Sequence, residues 1–189
     1  MNSLSDLGSS DKWTLFRQMY PEFIYENYAY DVQPDGLHIL FDFSILHVSD
    51  QSRSLHFRPT AFIPSRPFLH PDRLSREALN MLVFNIGMIE LVSYWKCYCP
   101  PLVTIMPHRL SDRQVAFWKK IYFNGLGEFF YTNAIETTTE DFLHFRFGSS
   151  KSTRKIERLM EEEPEEGMGG HIVPIGGGKD SVVTLELLN

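Results

Sequence analysis

Residues 171–188 read HIVPIGGGKDSVVTLELL: a short apolar run, three glycines, Lys-Asp-Ser, then apolar residues at helical spacing. The pattern is that of strand, tight loop and helix. Gly176, Gly177 and Gly178 lack a Cβ, so backbone N–H groups there can turn inward and approach an anion closely. The helix that follows would aim its positive end and unpaired N–H groups at the same point. Ser181 can donate a hydroxyl hydrogen bond, Lys179 adds positive charge, and Asp180 can hold Mg²⁺ or orient the loop. The chemistry suggested is pyrophosphate binding.

Two better-known phosphate loops do not fit. Walker A requires G-x-x-x-x-G-K-[ST], but Lys179 is followed by Asp180, and Val173 stands where the first glycine belongs. The dinucleotide fingerprint G-x-G-x-x-G fails at its last glycine, where Ser181 stands. The loop resembles the PP-loop of the ATP pyrophosphatases, S-G-G-x-D-S. Gly177, Gly178, Asp180 and Ser181 match, while Gly176 replaces the first serine and removes one hydroxyl contact. The plainer alternative is a glycine-rich turn between strand and helix.

At 189 residues the chain is long enough for one domain with a proper core, or for one domain and the start of another. Its 43% hydrophobic and 22% charged content are ordinary for a globular protein. A net charge of −6 argues against a large non-specific nucleic-acid surface. No apolar run approaches a membrane span of roughly 20 residues, and Asp6 and Asp11 stand where a signal peptide would carry cations. A cytoplasmic location with no membrane partner is the default expectation. Cys97 and Cys99 are the only cysteines, too few for a disulfide framework or a zinc site. They read as reduced thiols near a helix end, with a catalytic thiol as the minor alternative.

Along the chain, residues 1–12 are rich in Ser, Asp and Gly and are expected to fray. Residues 13–20 form a short amphipathic piece closed by Pro21. The aromatic stretch 23–32, the turn Gln33-Pro34-Asp35-Gly36 and the alternation of Leu37, Ile39, Phe41, Phe43 and Ile45 predict a hairpin. Residues 55–63 alternate likewise around a proline break and predict a third antiparallel strand. Asp72 or Ser75 can cap a largely buried helix over 78–95, which Pro100-Pro101 prevents from continuing. Asn85 and Glu90 interrupt its apolar run and would need partners if buried. Residues 102–106 suggest a short buried strand, and Ser111 or Asp112 a cap for a second helix through Phe117, Trp118, Ile121 and Tyr122. After a short apolar piece at 142–147, the charged and Pro/Gly-ended stretch 151–170 reads as a solvated linker.

The predicted architecture is therefore an α+β N-terminal domain of antiparallel strands with helices over 13–150, preceded by a flexible 1–12. The 151–170 linker then leads to residues 171–189, the first βα unit of an α/β PP-loop domain. One strand and one helix cannot bury a core alone, so an incomplete fragment with no turnover of its own is expected.

Three stretches resemble one family. They are residues 85–96 (NIGMIELVSYWK), 124–130 (NGLGEFF) and 173–181 (VPIGGGKDS). The chain looks like the N-terminal part of UDP-N-acetylmuramoyl-L-alanyl-L-glutamate epimerase, whose own loop is of the Gly-Gly-Gly-Lys-Asp-Ser type. The resemblance implies an isomerase of peptidoglycan precursor synthesis, dependent on ATP and Mg²⁺, acting on UDP-MurNAc-L-Ala-L-Glu. It implies transfer of AMP to the glutamate carboxylate, which removes a negative charge and acidifies the α-proton. Gly176, Gly177, Gly178, Lys179, Asp180 and Ser181 would then bind the nucleotide, with Asp180 favouring Mg²⁺. Glu90, Lys96 and Glu128 are the proton-transfer candidates, with Tyr94 and Cys97 beside them, because all lie in or next to the resembling stretches.

Two other readings compete. Another adenylating PP-loop enzyme of tRNA-modifying or amidotransferase type is disfavoured by the loop's late position, the acidic chain, and Asn2 where a terminal cysteine nucleophile would follow Met1. An inactive remnant or binding domain is compatible with the same ancestry, and detectable epimerisation by the 189-residue chain would exclude it.

Overall fold

The computed structural model describes residues 8–65 and 74–148, together with 183, 186 and 187. Helix α1 (Ser9–Met19) leads into a long hairpin of β1 (Glu22–Gln33) and β2 (Gly36–Leu46). At its turn Gly36 has φ of 155°, and a Cβ there would press on the Pro64 Cα and the Phe62 ring at 2.9 Å. The first turn of α1 takes in Ser9–Lys12, which sequence reading assigned to a frayed terminus. Trp13, Phe16, Arg17 and Tyr20, at helical spacing, give α1 an inward face.

Strand pairing runs β3-β2-β1-β5-β6, with β4 also paired to β2. The predicted third strand is split into β3 (Leu55–Phe57) and β4 (Thr60–Pro64), since Pro59 has no N–H to give a ladder. Both pieces run antiparallel to β2 as expected. The sheet as a whole is mixed, however, which corrects the antiparallel reading. Strands β5 (Leu102–Ile105) and β6 (His144–Phe147) lie parallel to β1 and to each other. The cause is the helices between them. Helix α2 (Arg76–Trp95) separates the hairpin sheet from β5, and α3 (Asp112–Gly125) with α4 (Gly127–Thr132) separates β5 from β6. Such crossovers return the chain in the same direction.

Ser75 accepts a hydrogen bond from the Ala78 N–H, and Ser111 forms a capping box with Gln114, so two of the expected caps are in place. The aromatic and aliphatic side chains of alternate strand positions, Phe23, Tyr25, Phe41, Phe43, Val103 and Ile105, share one buried core with the inward face of α2. On the opposite face Ser44 and Thr104 are buried by long polar neighbours: Ser44 donates to Glu26 at 2.7 Å and Thr104 to Glu22 at 2.6 Å, with Arg146 paired to Glu22. By length and composition α2 could cross a bilayer, contrary to the sequence reading, but Leu79, Val83, Phe84, Met88, Leu91 and Trp95 are buried in the protein core.

A β-bulge at Glu26 shifts the phase of β1, since Tyr25 pairs with Phe43 while Asn27 pairs with Asp42. Inward positions change from Phe23 and Tyr25 to Tyr28 and Tyr30. The hydroxyl of Tyr30 consequently reaches Asn80 on α2 at 3.0 Å. The loop at 171–182 lies outside the described residues, while Val183, Glu186 and Leu187 are helical and exposed.

Candidate functional site

Helix α2 ends at Tyr94-Trp95, Lys96 caps it, Cys97 opens the turn that follows, and Cys99 has φ of 51° before Pro100-Pro101. Trp95 is buried and its indole N–H donates to the Pro100 carbonyl at 2.8 Å, which fixes the turn. Lys96 and Cys97 therefore project at the surface, toward α1 and α4. There they border a cavity of about 290 Å³ together with Lys12, Trp13, Phe16 and Phe129. The side-chain amide of Asn133, another wall residue, donates to the Phe129 carbonyl at 2.8 Å.

Trp13 is the fixed wall of this cavity. Its ring meets Trp95 edge-on at 6.3 Å and Phe130 at 6.4 Å, and the Arg17 guanidinium lies 4.5 Å from its centroid. Arg17 in turn donates to the carbonyls of Cys99 and Phe142 at 2.8 Å and of Asp141 at 3.2 Å, tying α1 to the loop before β6. Both thiols are free. Burial raises the Cys97 pKa and pushes that of Cys99 up to about 12, so neither is poised as a thiolate at neutral pH.

The remaining sequence candidates lie elsewhere. Glu90 and Lys96, six positions apart, stand about 120° apart around the helix axis. Tyr94 leans on Phe43 and Phe57 with ring centroids 5.6 and 5.0 Å away, and its hydroxyl is 3.5 Å from Glu90. Glu128 is exposed in the first turn of α4, next to the cavity wall residue Phe129. The structure thus brings Lys96 and Cys97 together, pairs Glu90 loosely with Tyr94, and sets Glu128 at the rim side of α4. Gly176, Gly177, Gly178, Lys179, Asp180 and Ser181 lie outside the described residues.

A second polar cluster was not found from sequence. At the carboxyl end of the parallel strands, His108 Nε2 is 2.7 Å from the Tyr28 hydroxyl, and Phe84 meets the imidazole edge-on at 4.8 Å. Burial lowers the His108 pKa and raises that of Tyr28 to about 12, so both are neutral at pH 7. His108 Nδ1 and the Tyr25 hydroxyl are buried with no hydrogen-bond partner among the described residues. The phase break in β1 after Tyr25 was the sequence signal that could have placed Tyr28 here.

A family model described as the MurL N-terminal domain matches residues 15–189. The chain belongs to that family. It is 29% identical over 130 residues to the UDP-N-acetyl-alpha-D-muramoyl-L-alanyl-L-glutamate epimerase of Xanthomonas oryzae pv. oryzae, which covers 68% of this chain and 26% of the relative. A protein of the same name from Micromonospora sp. is 25% identical over 166 residues, covering 88% of this chain and 34% of the relative. The matches therefore span between about a quarter and a third of these curated relatives. No solved structure matches. Within this MurL N-terminal domain, two of the stretches that carry the sequence resemblance meet around Trp13. Trp95 and Lys96 come from the first, and Phe129 and Phe130 from the second.

Proposed function

We propose that this domain serves in substrate recognition for an ATP-dependent epimerisation, which converts the terminal L-glutamate of UDP-MurNAc-L-Ala-L-Glu to D-glutamate in peptidoglycan synthesis. The observation that carries this reading is the family match across residues 15–189, with two relatives named as that epimerase. The sequence chemistry agrees. Backbone N–H groups at Gly176, Gly177 and Gly178, the Ser181 hydroxyl and the Lys179 ammonium form a donor set suited to a polyphosphate, and Asp180 is a hard oxygen ligand suited to Mg²⁺.

ATP, when bound, supplies the activation of the glutamate carboxylate. The chain's own residues then have two tasks. The first is to hold departing pyrophosphate where negative charge develops, which falls to the glycine loop. The second is to hold the substrate so that its α-proton faces a base, and Lys96, which borders a cavity, suits the holding part of that task. Glu90 and Glu128 remain candidates from the resembling stretches.

The test is calorimetric titration of the purified protein with UDP-MurNAc-L-Ala-L-Glu, then chiral analysis of its glutamate after incubation with ATP and Mg²⁺. Binding is expected. D-Glutamate appearing with AMP and pyrophosphate would establish the whole reaction. Binding without turnover keeps the recognition role and leaves the chemistry to the part of the relatives that the match does not cover. The absence of both binding and D-glutamate would defeat the reading.

A further inference from the structure

The cavity at the end of α2 combines features that point to an amphipathic anion. Its described lining contains two cationic side chains, Lys12 and Lys96, and no carboxylate, in a chain whose net charge is −6. The rest of the wall is chiefly apolar and aromatic, from Trp13, Phe16 and Phe129. A bare inorganic anion would need no aromatic wall, and an apolar ligand would gain nothing from two ammonium groups. The wall is also preorganised, because Trp13 is held by Trp95, Phe130 and Arg17. At about 290 Å³ the cavity lies at the small end of the range for small-molecule sites, which suits one moiety of a ligand rather than a whole sugar-nucleotide peptide.

We propose that this cavity binds a nucleoside diphosphate moiety, with Lys12 and Lys96 against the phosphates and the base on the aromatic wall. Lysine binds phosphate as a mobile point charge and needs no fixed fork geometry. An aromatic ring accepts any base face. The proposal deepens the recognition role above and rests on it for biological meaning. Two sources could supply the moiety, the UDP end of the sugar-nucleotide or ATP, and the experiment separates them.

The measurement is titration of the purified protein with UDP and, in parallel, with ADP, following Trp fluorescence and maleimide labelling of Cys97. The cysteine is exposed and lines the cavity, so it reports occupancy independently of affinity. Saturable binding that shields Cys97 is expected. It should weaken at least tenfold in Lys96→Glu and Lys12→Glu, be kept in Lys96→Arg, and fall as salt is raised. Preference for UDP assigns the cavity to the sugar-nucleotide, and preference for ADP assigns it to ATP. Binding of neither, or binding that leaves Cys97 reactive and ignores both charge reversals, overturns the proposal. Where UDP is preferred, UDP-MurNAc-L-Ala-L-Glu binding equally to wild type and the double reversal would also overturn it while leaving the recognition role intact. Loss of that binding in wild type would remove the role itself.

Discussion

At Gly87, α2 lies so close to the sheet that a Cβ would fall into the Tyr25 hydroxyl and within 2.5 Å of its Cζ, whereas at Lys96 the same helix ends beside an open cavity. The body of the helix seals polar groups. Tyr25, Tyr28, His108 and Asn80 are gathered under or beside it, and burial keeps His108 and Tyr28 uncharged at neutral pH. The capping residue Lys96 stands exposed at the mouth of a cavity with an aromatic wall. Changes near Gly87 should therefore register as stability, while changes at Lys96 should register as binding, with stability held within about 0.5 kcal/mol.

The strongest way to break that contrast is Gly87→Ala. In a solvent-facing helix the change would be stabilising by about 1 kcal/mol through propensity. Here the methyl group must displace a fully buried, stacked ring: Tyr25 lies 5.8 Å from Phe84 with planes 7° apart. Overpacking should outweigh propensity and leave a net loss of about 2–3 kcal/mol in urea unfolding. An unchanged or raised midpoint would show that Tyr25 can retreat, and that the middle of α2 is no more closely seated than its end.

Next in size is Arg17→Met, which keeps much of the apolar stem but strips the donors serving three backbone carbonyls. A loss of about 2 kcal/mol is expected, with Lys restoring only part because one ammonium cannot reproduce the planar fork. The same variant should loosen Trp13 and so broaden its fluorescence response to ligand. A stable Arg17→Met with an unaltered response would separate the cavity wall from the clamp beneath it.

Tyr28→Phe should cost about 1–2 kcal/mol, because it leaves His108 Nε2 buried without its partner. The His108 imidazole also gives the pH dependence a sign. Its folded pKa lies below the ordinary 6.5, so near pH 6 the unfolded chain binds more protons than the folded one. The associated stability is fully present above about pH 6.5 and is lost as pH falls from there through the depressed folded value. Stability measured from pH 7.5 to 5 should fall in wild type and fall less in His108→Phe, while Lys96→Glu keeps the wild-type slope. Parallel slopes in wild type and His108→Phe would assign the acid sensitivity to other groups.

The elements legible in the sequence were those with a strong local period or a cap. The alternation from Leu37 to Ile45, Ser75 ahead of the apolar helix and Ser111 with Gln114 all mark what they form. Strand direction was not local information. Parallel β5 and β6 follow from the helices that precede them, and four-residue strands carry too little pattern to show which way they run. The cavity was half legible, because Lys96 and Phe129 sit in recognisable stretches. Lys12 and Asn133 join them only through packing of α1 and α4. His108 was missed because its partner depends on the bulge at Glu26, which moves Tyr28 to the inner face.

The smallest expected effect is also the sharpest test of how the sealed end is sealed. Burial raises the Tyr25 pKa well above its ordinary value, so its hydroxyl stays protonated and carries a buried donor with no acceptor among the described residues. Tyr25→Phe removes that donor without changing the ring. It should be neutral or stabilising by up to about 1 kcal/mol, since no hydrogen bond is lost and a desolvated polar atom is removed. Combined with Gly87→Ala it should recover only part of the loss. The hydroxyl contact disappears, but the new methyl still meets ring carbons at 2.5 and 2.9 Å. Full recovery would mean that the hydroxyl alone sets the distance between α2 and the sheet. A clear destabilisation by Tyr25→Phe alone would reveal an acceptor for it, and the interior beneath Gly87 would then be a satisfied polar network.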